Sequence, residues 1–128
     1  MPASVNPPSR KATIALWTLR VLMAVLFVVS GIMKLTSNPM TVQEFDAVGL
    51  GQWLRYLTGL MEVVGGLAVL VPTVSVYGAI ILLVVDVGAF FAQLTSLHMD
   101  WIHPIVIGAL LVAIIYLQRD QIQARLGL

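Results

Sequence analysis

Arg20, Glu62 and Asp86 each stand inside a different apolar stretch of the sequence, and each stretch is long enough, or nearly so, to cross a bilayer. A charge near the middle of a membrane helix costs roughly 2.5–3.5 kcal/mol even on insertion scales, so a retained one is expected to have a partner or a task. Two chemistries are open to such a set. Carboxylates held away from water can take up and release protons, with an arginine among them holding their charge. The same residues can equally serve as a buried clamp that fixes helix packing. Spacing alone does not choose between the two.

The neighbours of these residues point them inward. Gly59, Gly65 and Gly66 lie at i−3, i+3 and i+4 from Glu62, so that face is small and can receive another backbone closely. Asp86 and Gln93 are seven residues apart and share a face, while Arg20, Ser30, Gly31 and Lys34 occupy roughly one stripe. The resulting polar seam is expected to climb towards the outer surface, to end near His98, Asp100 and His103, and to suit proton movement. With 1.5 Å of rise per residue, Arg20 lies about 10 Å from the inner boundary, Glu62 about 13 Å and Asp86 about 15 Å. Similar heights lead us to expect Arg20 to pair with Glu62, Asp86 or both. One cation facing two carboxylates is unbalanced. Either one carboxylate carries a proton or a further cation joins, with Lys34 the more distant candidate.

The elements that must position these residues follow from composition and punctuation. Of 128 residues, 59% are hydrophobic and 10% charged, and the mean hydropathy is +0.98, which describes a polytopic membrane protein. The expected fold is all-α, a bundle of four transmembrane helices with both termini on the cytoplasmic side. Residues 1–11 form a Pro-containing flexible tail, 12–117 the transmembrane domain and 118–128 a short cytoplasmic surface tail. The first span, about Ala12 to Leu35, is longer than a signal-peptide core and lacks a small-x-small cleavage site, so a retained helix is expected. A polar connection follows, Thr36 to Trp53, with a short amphipathic turn carrying Val42, Phe45 and Val48 at the interface. The second span runs to Val71 and stops at Pro72; the third covers about Val76 to Leu97; Pro104 opens the fourth, which ends near Leu117. Arg10, Lys11, Arg119 and Arg125 fall on one side against Lys34 and Arg55 on the other, which sets the termini inside. Trp53 and Trp101 then mark the outer interface and Trp17 the inner.

Several function classes drop out. A net charge of +1 from scattered basic residues gives no nucleic-acid footprint. The absence of cysteine excludes thiol relays and Cys-ligated clusters within this chain. His98 and His103 share a loop without a third strong ligand, so they are expected to be interfacial polar residues and no metal site is expected. Both lie outside the spans, which removes a buried haem. A small transporter is disfavoured by the lack of internal repeats and broken spans.

Taken in order, Leu19-Arg20, Phe27, the run Ser30-Gly31-Ile32-Met33-Lys34-Leu35, Phe45 before Gly49-Leu50, Gly59-Leu60-Met61-Glu62 with Gly65-Gly66, and Pro72 resemble the DoxX family. The likeness extends from the first span through the third; the fourth, with His103-Pro104 at its start, is compatible. The resemblance implies a small four-helix bundle in a bacterial inner membrane, with Arg20, Lys34 and Glu62 as the family's polar residues. Its members are linked to quinone-coupled oxidation of sulfur compounds, to oxidoreductase assemblies handling oxidative stress, and to partner binding. The implied function is a subunit of a respiratory or redox complex that contacts quinone, with no covalent cofactor. Glu62 and Asp86 would be its proton carriers, and Arg20, Lys34 and Gln93 its binding or structural cluster. The expected partners are the bilayer and other membrane or redox subunits, or further copies of the chain. The alternative is a non-catalytic accessory or assembly subunit. Without cysteine the chain is at most a component of a quinone-linked oxidoreductase rather than an independent enzyme.

Overall fold

The computed structural model describes residues 10–97 and 102–119. From Arg10 to Leu35 no proline interrupts the apolar run, and these 26 residues form one continuous helix, α1. Ser37 then takes a left-handed conformation, φ 61°, and turns the chain.

The next helix, α2 (Pro39–Val48), is written into its ends. The Asn38 side chain accepts a hydrogen bond from the Met40 N–H at 3.0 Å, Pro39 occupies the first turn where no N–H is needed, and Gly49 closes the helix at φ 81°. The expected interfacial turn is therefore a complete ten-residue helix. Helix α3 spans Trp53–Val69, and helix α4 spans Ser75–Ala92 and continues as a π-helical turn over Gln93–Leu97. Helix α5 covers Ile102–Leu117, with Pro104 in its first turn. Of the expected N-terminal tail only Arg10 and Lys11, and of the expected surface tail only Gln118 and Arg119, fall among the described residues; His98, Asp100 and Trp101 lie outside them.

Helix α1 packs along α3, α3 along α4 and α4 along α5, and α1 closes more lightly on α5. Small residues set two of these contacts. A Cβ on Gly31 would stand 2.7 Å from the Gly59 carbonyl oxygen, and one on Gly78 2.8 Å from the Gly65 carbonyl oxygen, so neither pair of backbones could approach as it does with alanine there. Met23, Phe27, Val69, Ala79, Leu82, Leu111 and Ile114 fill the interior. The outer faces carry large apolar side chains, among them Val25, Leu60, Val84 and Val106. Among the described residues, two stretches, α1 and Ser75–Thr95, are long and apolar enough to cross a membrane; α3 has 17 residues and the apolar α5 has 16.

Candidate functional site

The last turn of α1 delivers Lys34, and the close approach at Gly31 and Gly59 brings α3 alongside so that Glu62 meets it. Lys34 Nζ donates to Glu62 Oε1 at 3.1 Å, to Glu62 Oε2 at 3.0 Å and to Ser30 Oγ at 2.8 Å. Glu62 is 5% exposed and Lys34 13%, so this is a largely desolvated charge pair with the ammonium fully engaged. Arg55, buried at the start of α3, donates to the Lys34 carbonyl and so caps the open end of α1.

Beside this pair lies a cavity of about 570 Å³. Helix α2 contributes Glu44, Phe45 and Val48 to its wall, α3 contributes Leu54, Leu57, Thr58 and Met61, and α4 contributes Val84, Val85, Gly88 and Ala89. Leu50, Phe91, Ala92, Gln93 and Thr95 complete it, with Lys34 and Glu62 among the lining residues. Gln93 is the first residue of the π turn, and its Oε1 is buried without a hydrogen-bond partner among the described residues. An apolar cavity with a few converging polar groups and a π-helical turn in its wall has the composition of a small-molecule site.

Arg20 is not part of it. Its Nε donates to Ser75 Oγ at 3.2 Å, and its guanidinium stacks 4.6 Å from the Trp17 ring centroid. The Ser75 hydroxyl, fully buried, lies 2.8 Å from both the Val69 carbonyl and Gln118 Oε1, so its one hydrogen serves those two acceptors while its lone pair takes the Arg20 bond. Fourteen residues of α1 put Arg20 about 21 Å below Lys34. The expected pairing of Arg20 with Glu62 or Asp86 is thus corrected: Lys34, the more distant candidate, takes Glu62. The physical reason is side-chain direction. Helical side chains lean towards the N-terminus of their own helix, so on antiparallel α1 and α3 Arg20 leans towards the start of α1 and Glu62 leans the opposite way, towards Lys34.

Asp86 goes elsewhere again. It is 6% exposed and its Oδ2 would lie 2.7 Å from a Cβ on Gly108, so it packs against α5. Gln93 lines the cavity and Asp86 does not. The single polar cluster read from spacing is therefore three separate groupings: Lys34–Glu62 with the cavity, Arg20–Ser75–Gln118, and Asp86 facing α5. His103 is exposed in the first turn of α5, and His98 lies outside the described residues. Among the described residues, no three His, Asp or Glu side chains are gathered to hold a metal ion. Sequence reasoning passed over Glu44, whose amphipathic helix was visible, and the Ser75–Gln118 link, for which two residues 43 positions apart gave no signal.

Residues 18–116 match the model of the DoxX-like family, a span that takes in all of α2 to α4, most of α1 and nearly all of α5. No curated protein and no solved structure matches.

Proposed function

Because the chain belongs to the DoxX-like family and is a membrane protein with apolar helices, we propose that its cavity binds the ring of a membrane quinone within a respiratory or redox assembly. In this reading the protein spans a bacterial inner membrane four times with both termini in the cytoplasm. The supporting observation is the cavity itself: apolar walls that include Phe45, Leu57, Met61 and Phe91, and a polar edge formed by Lys34, Glu62, Glu44 and Gln93. Its volume lies in the range of pockets that hold small organic ligands. Glu62 beside the ring is the group suited to exchange a proton with it, and electrons pass to or from a partner subunit, because this cysteine-free chain supplies no thiol carrier.

The test is to fill the space. Ala89→Trp, placed on the cavity wall, is expected to abolish binding of a short-tailed benzoquinone to the purified protein in nanodiscs while leaving its thermal unfolding within a few degrees of wild type. Undiminished binding in a folded Ala89→Trp protein would sink the quinone reading.

One observation favours a second reading, that of an accessory subunit whose polar core is structural. The Lys34–Glu62 pair lies beside the Gly31–Gly59 contact, where a clamp between α1 and α3 would act. On this reading the double replacement Lys34→Met, Glu62→Met keeps the protein folded and its complex intact, and no quinone is recovered with the wild type.

A further inference from the structure

Arg20 is a buried cation with no carboxylate against it among the described residues. Its Nε donates to Ser75 Oγ and its guanidinium stacks on Trp17, which leaves four terminal N–H groups without an acceptor there. The Gln118 carboxamide is held on the same hydroxyl through Oε1, so its two N–H groups are unclaimed as well. What this node has to spare is donors. Arg20 is 4% exposed and Gln118 6%, yet the fully buried side-chain nitrogen or oxygen left without a partner among the described residues is Gln93 Oε1. The unpaired nitrogens of Arg20 and Gln118 are therefore not sealed in the interior but reach the surface of the bundle.

The node also sits at the height where a bilayer carries its phosphates. It joins Val69 at the end of α3, Ser75 at the start of α4 and Gln118 just past α5, and the ends of spanning helices lie near the headgroups. The charges described at this end are all positive: Arg10 and Lys11 at the start of α1, Arg20 itself, and Arg119 next to Gln118. Glu44 and Asp46 belong to α2, beyond the other end of α1, Glu62 is engaged by Lys34 near that other end, and Asp86 lies about 16 Å along α4 from Ser75. From Trp17 an open groove of about 720 Å³ runs along α1 past Val21, Leu22 and Val25, an apolar track that starts beside the guanidinium. A charge retained in a membrane protein calls for a partner, and the planar fork of arginine matches a phosphate through two parallel hydrogen bonds. We propose that Arg20 and Gln118 hold the phosphate of an anionic phospholipid whose acyl chain lies in the α1 groove, as basic pockets between membrane helices hold lipid headgroups. This site is separate from the cavity beside Lys34 and Glu62 and does not depend on what occupies it.

The test is native mass spectrometry of the full chain in a mild detergent, titrated with dioleoyl-phosphatidylglycerol or dioleoyl-phosphatidylcholine. Both lipids carry the phosphate, but only the second brings a cation of its own towards Arg20. A single phosphatidylglycerol is expected to stay bound, roughly tenfold more tightly than phosphatidylcholine, the ratio that about one charge-assisted hydrogen bond supplies. Arg20→Gln is expected to remove that difference, Arg20→Lys to keep part of it because the charge stays while the fork is lost, and Gln118→Leu to shrink it. Thermal unfolding shows which variants are folded. An undiminished preference in folded Arg20→Gln, or in Gln118→Leu where Arg20→Gln does not fold, overturns the proposal. So does a wild-type protein without preference, the result expected if Asp120, which lies outside the described residues, supplies the counter-charge. Displacement of the lipid by an equal concentration of inorganic phosphate overturns the lipid as occupant and leaves a site for the free anion.

Discussion

Glu62 and Lys34 show how much one partner matters to the other. Removing one member of a buried pair leaves an uncompensated charge, which costs about 3–5 kcal/mol, whereas replacing both by apolar residues of similar volume is close to neutral. Glu62→Gln is therefore expected to lower the unfolding temperature of the purified protein sharply, and Lys34→Met combined with Glu62→Met to restore most of the loss. Calorimetry of the three proteins in one detergent checks this; a Glu62→Gln protein as stable as wild type would mean that the pair holds nothing. Arg20 has a different dependence, since its contacts are a hydroxyl and an indole ring rather than a carboxylate. Ser75→Ala removes the hydroxyl that joins Arg20, Val69 and Gln118, and is expected to cost about 1–3 kcal/mol, the penalty for buried polar groups left without their partner. The spacing of Arg20, Glu62 and Asp86 disclosed that each is buried, but not which neighbour each meets, because that depends on helix direction and side-chain tilt.

At the scale of elements, α1 and α3 approach closely at Gly31 and Gly59, where each glycine lies against the other helix's backbone, and side chains such as Val63 and Val28 pack against glycines of the facing helix. Gly59→Leu must push α1 away, since even a Cβ there would lie 3.0 Å from the Gly31 carbonyl oxygen and from Lys34 Cβ. Overpacking of this kind costs about 1–3 kcal/mol, and here it also draws Lys34 away from Glu62. The expected outcome is a less stable protein and, on the proposed quinone reading, one without quinone binding, read by thermal unfolding and ligand titration on the same sample. Helix α2 depends on its cap. Asn38→Ala is expected to cost about 1 kcal/mol and, because α2 brings Glu44 and Phe45 to the cavity, to loosen that wall; faster amide exchange confined to α2 is the measurement. Gln52 fastens the other end of this helix, donating to the Val42 carbonyl at 3.1 Å and to Asp46 Oδ1 at 2.8 Å while accepting from Arg55 Nε at 2.6 Å.

At the scale of the whole molecule, the absence of native cysteine makes the membrane topology directly measurable. A single cysteine at the exposed Gln43 position of α2 is expected to react with a membrane-impermeant maleimide on intact cells, and one at Arg119 only after permeabilisation. The reverse pattern would invert the positive-inside assignment. The groupings also sit at different levels along the bundle, with Arg20–Ser75–Gln118 at the turn between α3 and α4 and Lys34–Glu62 near the opposite end of α1. A short bundle with a side cavity and outward apolar side chains on α1, α3, α4 and α5 is suited to lipid-soluble ligands and to neighbouring subunits alike.

The sequence by itself determined the helical class, the family and nearly every helix boundary, because these depend on local signals: unbroken apolar runs, Pro72 and Pro104, and the Asn38-Pro39 and Gly49 ends of α2. It also identified Arg20, Glu62 and Asp86 as buried, since their setting in apolar sequence left no other place for them. Only the tertiary structure decided that Glu62 belongs to Lys34, that Arg20 belongs to Ser75 and Gln118, and that Glu44 and Gln93 converge on one cavity. Those pairings join residues far apart in the chain, and they are fixed by how closely glycine faces allow antiparallel helices to approach and by the way each side chain leans along its own helix.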